Sequence, residues 1–106
     1  MLLTTQDRFS DYDIVETLGV VKGNTVRARH AGKDILAAFR NVVGGEIEEY
    51  TKLLAESREQ SIDRMKQAAQ KMGADGIVCI RFTTSSIMQS AAEMFVFGTA
   101  VKLKKK

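Results

Sequence analysis

The residues best equipped for chemistry are a lone histidine, His30, and a lone cysteine, Cys79. Imidazole and thiolate are the usual ligands of transition metals, and side by side they also make a base and a nucleophile. A metal site needs several converging donors, and the chain has no CxxC, HxxxH or HExxH spacing to supply them. His30 and Cys79 are therefore weak metal candidates, each with a plainer reading. His30 stands on the solvent side before a helix, and Cys79 packs as a small apolar residue in a strand. No catalytic residue follows from these types and spacings.

Charge clusters are explained in the same structural terms. Glu46, Glu48 and Glu49 fall in the first turn of an expected helix, where the helix dipole favours carboxylates. Gly44-Gly45 precede that turn, a place where free backbone N–H groups attract anions. The three carboxylates beside it would repel a phosphate, and no Walker or GxGxxG pattern is present.

The elements that must position these residues can be read from the apolar periodicity. Residues 2–5 suit a short strand and residues 6–13 a loop. The β-branched run 14–21 reads as a strand, followed by a turn at Gly23-Asn24. Ile35, Phe39 and Val42 share one face of a helix over 32–43, which ends at Gly44-Gly45. Ile47, Tyr50, Leu54, Ile62, Met65, Ala69 and Met72 follow spacings of three and four, with Ser57 and Ser61 filling the same stripe. They define a helix about 39 Å long at 1.5 Å per residue, stopped by Gly73.

After Gly76 the chain returns to strand, turns near 85–90, and ends on residues 94–101, which are apolar on both faces. The expected fold is α+β: a small antiparallel sheet with one short and one long helix in the order β-β-α-α-β-β.

The chain has 106 residues, 16 Lys+Arg against 13 Asp+Glu, and a net charge of +3. That length suits a single domain over 1–106. Lys102, Lys104, Lys105 and Lys106 carry four of the positive charges, so the rest of the chain stands at −1. Residues 102–106 read as a solvated basic C-terminal tail, without the aromatic interleaving of a specific nucleic-acid surface. The N-terminus lacks a secretory pattern and no apolar run could span a membrane, so a cytoplasmic location with no membrane partner is expected. A strand apolar on both faces needs cover on both sides. One long helix and one short one on a single face would leave the other open, and self-association is the simplest remedy.

Several segments form a recognisable ordered set: Leu3-Thr4-Thr5, Val20-Val21-Lys22-Gly23, Lys33-Asp34, Arg40-Asn41-Val42-Val43-Gly44-Gly45, Tyr50, Arg58, Gly73-Ala74-Asp75-Gly76-Ile77-Val78 and Gly98-Thr99-Ala100-Val101. Taken in order, they resemble the YbjQ-like proteins, a family of unknown function labelled heavy-metal-binding. The resemblance spans nearly the whole chain. It implies a subunit like that of dodecin, assembled as a ring-shaped pentamer, with no established enzymatic activity. The chain departs from the family pattern at Arg81, Phe82, Thr83 and Thr84, where acidic and tyrosine residues are common, at Asn41 and Glu46, and at Cys79, where glycine is usual.

The reading is therefore a non-enzymatic cytoplasmic homo-oligomer without a cofactor, whose partner is itself, with the resemblance implying a pentamer. The alternative is a small-molecule or heavy-metal-binding module with its site between subunits. Asp34, Arg40, Gly44, Gly45 and Tyr50 are its candidate binding residues, and a divalent heavy metal enters through the family label alone.

Overall fold

A computed structural model describes residues 1–28, 48–88 and 91–106. It contains β1 (Leu2–Leu3), β2 (Tyr12–Ala28), α1 (Glu48–Lys71), β3 (Gly76–Met88) and β4 (Ala91–Lys105). The strands form one sheet in the order β1-β3-β4-β2. The α+β class and the order of the described elements agree with the sequence reading. The helix expected over 32–43 lies outside the described residues.

Three expectations are corrected and one is narrowed. The sheet is mixed, because β1 runs parallel to β3 while β3, β4 and β2 are antiparallel. A strand reached by a long crossover, rather than by a hairpin, is free to lie parallel. No turn occurs at Gly23-Asn24, since β2 passes through both and pairs them with Val96 and Phe95. The turn expected near 85–90 is narrowed to the span between Met88 and Ala91, which pair with each other. β3 continues to Met88, with Thr83, Thr84 and Ser85 opposite Phe95, Met94 and Glu93. Finally, the C-terminal lysines are not a loose tail. Lys102, Lys104 and Lys105 pair with Glu16, Asp13 and Tyr12 in β2, so the basic end of β4 meets an acidic stretch.

α1 lies against one face of the sheet. Met65 and Ala69 join Val21, Ile77, Ile80, Val96 and Ala100 in the main core. The two serines of the helical stripe are buried, as their spacing requires, and so is Thr25 across from them. The Thr25 hydroxyl lies 3.2 Å from the Ser57 carbonyl and 3.2 Å from the Ser61 hydroxyl. Ser61 Oγ in turn lies 2.8 Å from the Ser57 carbonyl and 3.2 Å from that of Met94. Among the described residues no buried side-chain nitrogen or oxygen lacks a partner, so the hydrogen bonds of this hydroxyl seam offset the water its members lose on burial.

The helix ends as expected at Gly73, which has φ 78°. Gly73 N–H donates to the Gln70 carbonyl and Ala74 N–H to that of Ala69, the paired bonds of a left-handed helix stop. Asp75 then continues the sheet ladder. Its N–H donates to the Val101 carbonyl, and its Oδ2 accepts the Leu103 N–H at 2.9 Å, where β3 has no earlier carbonyl to offer.

On the far face of the sheet the 4–11 segment covers one end. An added Cβ at Gly76 would touch Phe9 and Leu103, and Val78 and Val101 are buried nearby. The radius of gyration is 17.2 Å, well above the ~13 Å of a compact domain of this length. The chain extends 54 Å along its longest axis.

Candidate functional site

Of the candidate residues, His30, Asp34, Arg40, Gly44 and Gly45 lie outside the described residues. Tyr50 falls near the start of α1. Cys79 is the one candidate whose surroundings are described. It is half-buried and has φ 56°, the left-handed region that side chains with a Cβ rarely adopt.

The cause is a bulge. Val78 pairs with Thr99 and Arg81 with Phe97, so β3 spends an extra residue between them. Gly98 accommodates it, because an added Cβ there would strike Ile77 and approach Ile80 to 3.2 Å. The Cys79 N–H donates to the Gln6 carbonyl, and the Ile80 N–H to that of Thr4. Arg81 Nη1 lies 2.7 Å from the Thr5 carbonyl and 2.8 Å from the Ile80 carbonyl. Cys79 and Arg81 therefore lie where the N-terminal segment is tied to β3. Among the described residues no group of three His, Cys, Asp or Glu side chains is placed to hold a metal ion.

What the fold brings together instead is a surface on the face away from α1 in which apolar side chains stand among polar ones. Cross-strand registry places Lys22, Phe97 and Arg81 in one row and Asn24, Phe95 and Thr83 in the next. The Phe95 and Phe97 rings are tilted neighbours with centroids 5.6 Å apart. On β2 beside them Val20 is 74% exposed and Val26 55%, values unusual for valines in a strand. Asn24 Nδ2 donates to Glu93 Oε2 at 3.2 Å and fixes the polar margin. Two-sided apolarity of β4 signalled the phenylalanines. The exposed valines were missed, because the alternation of 14–21 does not say which face the helix takes.

The helix side also has an open groove of about 250 Å³ between the N-terminal segment, α1 and β3, lined by Leu3, Thr5, Ile62, Met65, Ile80 and Phe82. Its walls are apolar apart from threonines.

These features define a class: an α+β domain in which, among the described residues, one helix covers one face of a four-stranded mixed sheet and apolar side chains remain exposed on the other. A family model named YbjQ and described as "Putative heavy-metal-binding" matches residues 1–104. The chain belongs to that family. It is 56% identical over 105 residues to a UPF0145 protein of Pseudothermotoga lettingae, covering 99% of both chains. It is 53% identical over 105 residues to a UPF0145 protein of Methanococcus vannielii, covering 99% of this chain and 100% of the other. Among solved structures it is similar to a protein of unknown function of the DUF74 family from Pediococcus pentosaceus. That likeness has a TM-score of 0.67 at 16% identity, covers 98% of each chain, and concerns the fold alone. No described helix is long and apolar enough to cross a membrane.

Proposed function

We propose that this protein is a non-enzymatic, cytoplasmic building block that acts as a homo-oligomer. The observation that carries the reading is the far face of the sheet, where Val20 and Val26 stand exposed beside Phe95 and Phe97. Covering such a patch removes apolar area worth about 25 cal/mol per Å² from water. The extended shape supports the same reading, since an elongated chain of this size has little core of its own. The resemblance to dodecin-like subunits favours a pentameric ring. Size exclusion coupled to light scattering tests it: a mass several times 11.7 kDa is expected, and a monomer at micromolar concentration overturns it.

A second reading follows from the family description. In a heavy-metal-binding or small-molecule-binding module, His30, Asp34, Arg40, Gly44, Gly45 and Tyr50 of neighbouring copies would approach one another at subunit boundaries, with Cys79 as a soft ligand. Calorimetric titration with divalent metals, repeated on His30→Ala and Cys79→Ala, tests this. A saturable heat lost in either variant supports it, and heats unchanged in both remove those two ligands.

A further inference from the structure

Residues 1–8 leave their side chains exposed, with Thr4 alone half-buried. What holds this segment to β3 is mostly backbone. Leu2 N–H donates to the Asp75 carbonyl at 3.2 Å and Thr4 N–H to the Ile77 carbonyl at 3.1 Å. Cys79 N–H donates to the Gln6 carbonyl at 2.9 Å and Ile80 N–H to that of Thr4 at 3.2 Å. A stretch held by exposed hydrogen bonds, with few buried apolar contacts, is the kind that opens locally at low cost. The chain bends through 5–8 and is anchored again at Phe9. A Cβ at Gly76 would lie 3.0 Å from the Phe9 ring, and the Phe9 carbonyl accepts the Tyr12 N–H as β2 begins.

The bulge explains why the segment closes where it does. Cys79 and Ile80 have no partner in the β4 ladder, so their two successive N–H groups are free to take the carbonyls of Gln6 and Thr4. Closure on those bonds holds Cys79 at φ 56°, a strained conformation that release would relax. Arg81 works in the other direction. Its Nη1 lies 2.7 Å from the Thr5 carbonyl and 2.8 Å from that of Ile80, so one charged donor joins the N-terminal segment to β3. Beside this contact lies the groove, with Leu3, Thr4 and Thr5 on one wall and Ile62, Met65 and Ile80 on the others. Met65 and Ile80 are buried while the segment is in place.

We propose that residues 1–6 form a strap that leaves β3 as a unit, hinged at 7–8 and latched by Arg81, and that its release opens the groove between β3 and α1. The strap is independent of self-association: every contact that holds it lies within one chain. Strain at Cys79 favours the open state, while the shared arginine and the backbone bonds favour the closed one.

The test is native-state hydrogen exchange by NMR in sub-denaturing urea, on the parent chain, Arg81→Gln and Arg81→Lys. In the parent, the Thr4, Cys79 and Ile80 amides share one opening constant, on the order of a hundredfold larger than that of the buried Val96. That constant changes little with urea, because a strap exposes little surface on opening. Arg81→Gln raises it roughly tenfold, the worth of one charged hydrogen bond, and Arg81→Lys recovers part of the change. Binding of anilinonaphthalene sulfonate, a dye for apolar surface, rises in Arg81→Gln as the groove opens. Cys79 and Ile80 amides that follow the opening constant and urea slope of Val96 overturn the strap, since the segment then opens only with the whole fold. Equal strap constants in the parent and Arg81→Gln overturn the latch. A dye signal equal in all three chains overturns the opening of the groove.

Discussion

Gly23 of β2 faces the backbone of Ser61 in α1 so closely that a Cβ at position 23 would overlap the Ser61 carbonyl and come within 2.7 Å of the Met65 nitrogen. Glycine here permits contact between strand and helix. The hydroxyl seam of Thr25, Ser57 and Ser61 depends on that approach.

Gly23→Ala should therefore push the helix off the strand, because neither obstructing group is a movable side chain. The expected loss is about 3 kcal/mol, at the upper end for overpacking, with a melting temperature lower by more than about 10 °C. Lys22→Ala, on an exposed neighbour, should change stability by less than about 0.5 kcal/mol. Thermal and urea unfolding of both variants checks the contrast.

Cys79 gives the opposite sign. A side chain at φ 56° costs roughly 1–2 kcal/mol relative to a relaxed backbone. Glycine removes that strain but loses more freedom on folding, about 0.5–1 kcal/mol. Cys79→Gly should thus stabilise the fold by up to about 1 kcal/mol, read as a higher urea midpoint at unchanged slope. Cys79→Val, β-branched in the same backbone region, should lower the midpoint.

This position also shows what was legible in the sequence. The family resemblance places glycine where this chain has Cys79, and the bulge gives the reason in backbone terms. The stripe through Ser57, Ser61, Met65 and Ala69 and the stop at Gly73 were plain from spacing, because helix periodicity and left-handed glycine are local. Gly23 was misread because a glycine in a strand pattern signals a turn or a close approach, and only the partner helix decides. The parallel placement of β1 and the pairing of Lys104 with Asp13 join residues far apart in sequence, which no local pattern records. Most of the candidate site stayed out of reach for another reason. His30, Asp34, Arg40, Gly44 and Gly45 fall outside the described residues, and what unites them would be symmetry between copies.

Asp75 entered the sequence reading only within the Gly73–Val78 segment of the family resemblance, yet its carboxylate takes the place of a strand carbonyl for Leu103. Asp75→Ala should cost about 1 kcal/mol, reduced by solvent exposure from the value of a buried charged hydrogen bond. Asp75→Asn keeps an acceptor at the same reach and should recover most of the loss. Comparing the two in urea separates the hydrogen bond from charge. Faster exchange of the Leu103 amide in Asp75→Ala alone would locate the effect at the β3–β4 junction.

The far face allows self-association to be tested apart from folding. Val20 is 74% exposed, so replacing it by glutamate in a single chain buries no charge and should change monomer stability by less than about 0.5 kcal/mol. In an assembly that covers this face, the same carboxylate would lose its water, a penalty of several kcal/mol that Lys22, two residues along on the same face of β2, offsets only in part. Val20→Glu should therefore shift the mass toward 11.7 kDa in light scattering while its circular dichroism stays that of the folded chain. Glu59→Lys, on the exposed side of α1, should leave the mass unchanged. If Val20→Glu retains the parent mass, the far face is not covered by other copies, and the oligomer must be held by other surfaces.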